Sequence, residues 1–242
     1  MRNLKILVLA FLSLVFAAAA AQAMTVSPMQ VEMISTGKRS HAQVSVVNNS
    51  DKPLPIEAVV HRLTVDEAGH PKTSKGGGEF LIMPPQAMIA PGATQNFRVQ
   101  WLGDPALAKS QSFMLYMNQI PVKLPKSTAG VQVVMSMGVM VNVAPATGVP
   151  DMKVVATGVA KDKTGKRFPT VTVENTSNVH ALLPQATINL ASGNWANTLT
   201  PRMIGDRIGI GLVQPGQRRK FTLPVELPAT VSSVQANLEM AK

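Results

Sequence analysis

Apolar and polar residues alternate every second position in short runs along most of this chain. His41 to Val47, Leu54 to Val65, Gln95 to Trp101, Phe113 to Ile120, Thr170 to Val173 and Lys220 to Val225 all read this way. A period of two sends successive side chains to opposite faces, so each run predicts a β-strand with one buried face. Turn-forming clusters separate the runs: Asn48-Asn49-Ser50-Asp51, Asp66-Glu67-Ala68-Gly69, Pro91-Gly92, Asn175-Thr176-Ser177-Asn178 and Pro215-Gly216. Past the amino-terminal segment no stretch holds a sustained helical period. Many short strands with this punctuation predict an all-β chain of immunoglobulin-like β-sandwiches in tandem.

A weak internal repeat sets their number at two. Val46-Val47-Asn48-Asn49-Ser50-Asp51 in the first half is matched by Thr172-Val173-Glu174-Asn175-Thr176-Ser177 in the second. Asn49 precedes the Pro91-Gly92 turn by nearly the interval that separates Asn175 from Pro215-Gly216. Each turn leads into a strand bearing a phenylalanine, Phe97 or Phe221. Proline presets one turn dihedral and glycine takes the positive-φ position. Between the repeats, Ala144 to Asp151 holds two prolines and a glycine, a short stiff linker. The expected division is 1–23, 24–146 and 147–242. Lys75-Gly76-Gly77-Gly78 reads as a loop in the first domain and lacks the spacing of a phosphate-cradling loop.

Val131 to Val143 is the longest alternating run. Its odd positions are all Val or Met, and its even positions are mostly small or polar. As a single strand it would reach roughly 43 Å, beyond the ordinary ~5–6 residue strand. It carries no charge, the usual device that protects a strand edge from pairing with another chain. Two readings follow: an ordinary long core strand, or an edge that a partner or another part of the chain covers.

The amino terminus has a different pattern. Arg2 and Lys5 precede an apolar run from Ile6 to about Ala19, closed by Ala20-Ala21-Gln22-Ala23. A basic start, a short apolar core and a small-residue end predict a cleaved secretory signal, with a mature chain starting near Met24. The run is too short for a membrane span of ~20 residues. The chain contains no cysteine, which excludes thiolate catalysis, thiolate metal sites and disulfides. Its formal charge of +10 comes from scattered residues without interleaved aromatics, which argues against nucleic acid and fits acidic protein or membrane partners.

Candidate chemistry is sparse. His41, His61, His70 and His180 show no metal-ligand spacing and read as surface or turn residues. The 14 methionines suggest soft copper, but Met135 and Met137 share a face with no histidine near in sequence. There is no Gly-x-Ser-x-Gly elbow, and Asp66 and Glu67 lie in a turn rather than a cleft. The residues therefore point away from an enzyme and call for no cofactor. A structural two-domain pilus or surface protein and a periplasmic copper carrier stay open as alternatives.

The order of several segments resembles the periplasmic chaperones of the chaperone–usher pathway. They are Val26-Ser27-Pro28, Asn48-Asn49-Ser50, Met83-Pro84-Pro85, Ile89-Ala90-Pro91-Gly92 with Phe97-Arg98-Val99, Phe113 to Ile120-Pro121, and the long run closing at Ala144-Pro145. The resemblance implies a periplasmic protein that lends part of its long strand to an incomplete pilus subunit and hands the subunit to an outer-membrane usher. By position the donor residues would be Val131, Val133, Met135 and Met137, with the short connection from Pro121 to Val131 marking the short-loop type. Pairing of the free protein with itself along that edge is a further expectation.

The chain also departs from the family pattern. Glu32 and Met140 stand where the family has the arginine and lysine that grip the subunit's terminal carboxylate. Ala144 and Ser110 replace an interdomain arginine and its acidic partner. These departures imply a divergent branch, with Arg98 or Lys123 as the alternative carboxylate anchor.

Overall fold

The computed structural model describes residues 24–121 and 133–240. It is all-β apart from one short α-helix and two single 3-10 turns. The first half contains β1 (Met24–Ser27), β2 (Gln30–Ile34), β3 (His41–Asn48), β4 (Leu54–Val65), β5 (Pro71–Lys75), β6 (Phe80–Met83), β7 (Gln86–Ile89), β8 (Thr94–Trp101), β9 (Gln111–Gln119) and β10 (Ser136–Ala144). They form two layers, one ordered β1-β3-β8-β6 and the other β2-β10-β9-β4-β5, with β7 also on β4. The inward residues of the alternating runs meet between the layers. Val44, Val46, Phe97 and Val99 come from one sheet, and Ile56, Phe113, Leu115, Val139, Val141 and Val143 from the other. The chain changes layers at Pro28, so Met24 and Val26 enter this core from the first sheet and Val31 and Met33 from the second.

The second half repeats the sandwich on a smaller scale. Its elements are β11 (Met152–Lys161), β12 (Arg167–Asn175), β13 (Ala181–Leu182), β14 (Ala186–Ser192), β15 (Trp195–Leu199), α1 (Pro201–Ile208), β16 (Leu212–Val213), β17 (Arg218–Thr222) and β18 (Gln235–Met240). β11-β12-β17 faces β15-β14-β18 across a separate core that includes Val171, Val173, Ile188, Leu190 and Phe221. Helix α1 was not expected. Thr200 caps its amino end, Pro201 begins it, and only Ile204 along it is buried, too short a stripe to show a period. The closing strand is Gln235–Met240, with Val231 and Val234 buried ahead of it.

The internal repeat has a physical basis, in a register one residue from the sequence alignment. Asn48 and Asn175, each fully buried, are the equivalent residues. The Asn48 amide donates to the carbonyls of Lys52 (2.7 Å) and Ile89 (2.9 Å), and its oxygen accepts from the Ser50 N–H and hydroxyl. Asn175 does the same with Val179 (2.8 Å), Val213 (2.9 Å) and Ser177. Gly92 and Gly216, at φ 70° and 71°, donate their N–H groups to the Asn48 and Asn175 carbonyls at 2.9 Å. Each sandwich is thus stapled by one asparagine that ties a turn to the Pro-Gly turn across the sheet.

Candidate functional site

β10 is the element on which the sequence centred, and it is shorter than the run that predicted it. It pairs antiparallel with β9 from Ser136 opposite Asn118 to Val143 opposite Gln111, all but its last residue. On its other side β2 pairs in parallel only from Met140 to Ala144. From Ser136 to Val139 that side has no strand neighbour among the described residues. Backbone groups two residues apart in a strand point the same way. Since the Met140 N–H reaches the Met29 carbonyl at 3.0 Å, the groups of Ser136 and Gly138 also face this open side.

The four expected donor residues are placed differently. Val131 lies outside the described residues, as does Lys123. Val133 precedes β10 and is 74% exposed. Met135 and Met137 are half-buried and pack at the mouth of the first core. Gln119 holds Met135 in line by donating its N–H to the Met135 carbonyl at 2.8 Å. Arg98 is not brought to this edge. It sits in β8, opposite Gln43 and Met83, between the buried Phe97 and Val99, so it points out of the other sheet. A cavity of about 540 Å3 lies elsewhere, between β4 and β6 beside Val60, Gly77 and Ile82, and no titratable side chain lines it.

Below the open edge, the two sandwiches meet through a polar cluster that sequence reasoning missed. Glu32 on β2 accepts from the Gln30 and Asn142 amides, both at 2.8 Å, through one oxygen. Its other oxygen lies 2.5 Å from His180 Nε2 of the second sandwich. His180, 6% exposed, places Nδ1 3.0 Å from the Ser110 hydroxyl, which also accepts its backbone N–H. Burial alone would raise the Glu32 pKa, but the bond and charge of His180, with the two amides, outweigh it and hold the carboxyl below its ordinary value. Leu63, Met140, Leu182 and Leu212 form an apolar contact beside this cluster, and the Gln214 side chain bridges to the backbone of Leu63 and Val65. The positions where a pair of cations was sought thus carry an interdomain clasp. His180, expected at the surface, is its centre.

Among the described residues no group of three or more His, Cys, Asp or Glu is placed to hold a metal ion, and no helix is long and apolar enough to cross a membrane. The arrangement offers an unpaired strand edge flanked by apolar side chains, on a sandwich joined to its neighbour by several bonds.

Residues 25–148 match the family described as pili and flagellar-assembly chaperone, PapD N-terminal domain. Solved structures with the same fold include a chain of the chaperone–tip adhesin complex of CFA/I fimbriae biogenesis, 10% identical, with a TM-score of 0.54 over 90% of this chain and 98% of that one. The class 5 fimbriae chaperone CfaA is 11% identical, with a TM-score of 0.53 over 90% and 100%. A chain of the CsuC–CsuE complex from the archaic Csu pili of Acinetobacter baumannii is 15% identical, with a TM-score of 0.51 over 90% and 97%. At such identities the likeness concerns the fold. No curated protein sequence matches the chain.

Proposed function

The chain belongs to the family of pili and flagellar-assembly chaperones, and on that premise we propose that it binds pilus subunits by adding the edge of β10 to their incomplete sandwiches. The observation that carries the reading is the unpaired side of β10 above Met140. An incomplete sandwich exposes an apolar groove and a row of unpaired backbone groups, both costly in water. A lent strand fills the groove with alternate side chains and satisfies the backbone, as in strand-addition complexes generally. Val133, Met135 and Met137 are the donors, together with Val131, which lies outside the described residues. Methionine adapts to grooves of different shape. Of the two candidate cations for the subunit's carboxylate, Arg98 faces out of the other sheet, which leaves Lys123, outside the described residues, as the candidate to test.

The protein acts in the periplasm, is exported by a signal cleaved before Met24, has no catalytic activity, and passes its subunit to an outer-membrane usher. Amino-terminal sequencing of the periplasmic protein checks the cleavage. Strand donation is tested by co-expressing a pilin-like subunit with the wild type and with Val133→Asp plus Met135→Asp. A charge forced into an apolar groove is strongly unfavourable. A one-to-one complex is expected with the wild type and not with the folded variant. An unchanged complex with the variant would move the site away from β10.

A further inference from the structure

Strand pairing brings together residues that are distant in sequence on the outward face of the β10 sheet. His61 on β4 is directly opposite Met114 on β9, and Met114 is directly opposite Met140 on β10. Residues so paired share a face, with Cβ atoms about 4.5–5.5 Å apart. The neighbouring inward residues Val60, Leu115, Val139 and Val141 are buried in the core, which leaves this row facing outward, with Met114 and Met140 packed toward the second sandwich. Met114 packs against the cluster that holds Met140, and Met114 and Tyr116 both border Gly138. The Met114 sulfur lies over Gly138, where a Cβ would come within 2.8 Å of it and within 3.5 Å of the edge of Tyr116. The His61 imidazole packs against the same Tyr116 ring in a T-shaped contact, 5.5 Å between centroids.

From this geometry we propose that His61, Met114 and Met140 form a binding site for monovalent copper, with Tyr116 as its aromatic wall. Thioether sulfur is a soft donor that selects Cu(I), and imidazole suits copper as well. The ring of Tyr116 presents a face that attracts a cation. Gly138 is needed because any side chain there would displace the Met114 sulfur. Met140 is held in place by Leu63, Leu182 and Leu212, so the third donor is fixed by contact between the sandwiches. The three ligands lie off the open edge, and of the site's residues only Gly138, beneath the Met114 sulfur, belongs to it.

The test is titration of the full mature protein with Cu(I), generated by ascorbate, in competition with a chromogenic Cu(I) chelator. One equivalent should be retained. Supporting residues around metal sites typically contribute about 10–100-fold in affinity, so Met114→Leu and His61→Ala should each weaken binding by at least roughly tenfold. Met88→Leu, at a methionine 67% exposed on β7, should leave it unchanged. X-ray absorption of the loaded protein should show sulfur and nitrogen together. Failure to retain Cu(I), equal retention by wild type and both variants, or a spectrum without sulfur would overturn the assignment. His61→Ala is half-exposed and keeps the test decisive if Met114→Leu does not fold.

Discussion

Replacing His180 by alanine should destabilise the protein by about 2–3 kcal/mol and loosen the two sandwiches from one another. His180 makes two side-chain bonds across the seam, one to the Glu32 carboxylate and one to the Ser110 hydroxyl. A bond to a charged group contributes about 1.5–3 kcal/mol and a neutral one about 0.5–1.5. The Glu32 side chain is 34% exposed, so water replaces part of the lost bond and the sum is discounted. Ser110 is buried and recovers less. For a chain of this length the loss corresponds to a melting shift of roughly 4–12 °C, readable by calorimetry at pH 7. The wild type, His180→Ala, Glu32→Gln and the double variant should give a coupling energy of about 1 kcal/mol or more. Acid adds a second readout. Because the Glu32 pKa is lowered on folding, its contribution is complete above the unfolded pKa and is lost as pH falls through the folded value. Glu32→Gln should remove that part of the acid sensitivity. A shift below ~1 °C for His180→Ala, or strictly additive losses in the double variant, would refute the clasp.

Two further changes test the scaffold. Asn48→Ala and Asn175→Ala each leave two carbonyls and a serine without their partner, at least one of the carbonyls buried, and each should cost about 2–4 kcal/mol in chemical denaturation, with the loss centred on its own sandwich. Gly77→Ala should cost roughly 1–3 kcal/mol, because Gly77 has φ 95° and an added Cβ would fall 2.5 Å from the Val60 Cβ; equal denaturation midpoints would show that the loop simply moves.

What the sequence disclosed depended on how far apart the interacting residues lie. Val139, Val141 and Val143 were legible as core because a period of two needs only near neighbours. The stapling asparagines were legible as a repeat, but choosing Asn48 over Asn49 required knowing which side chain reaches Ile89. Glu32 and His180 are 148 residues apart, so no local pattern could join them. Arg98 was proposed as an anchor because a charge in a strand looks available; which sheet holds that strand is a property of topology. His61, Met114 and Met140 escaped for a related reason. Their spacing in sequence is irregular, and only the registers of β4, β9 and β10 put them in one row. Helix α1 was missed because a single buried residue cannot set a period.

The point at which β2 takes over the side of β10 also works as a ruler. A guest strand can run beside β10 only until it meets Met140, where the host's own chain already occupies the position. From Val133 to Val139 the berth is about 23 Å long at ~3.3 Å per residue. Guests of any sequence would therefore be held to one maximum overlap, and whatever remained of their groove would be left free for a successor to seize.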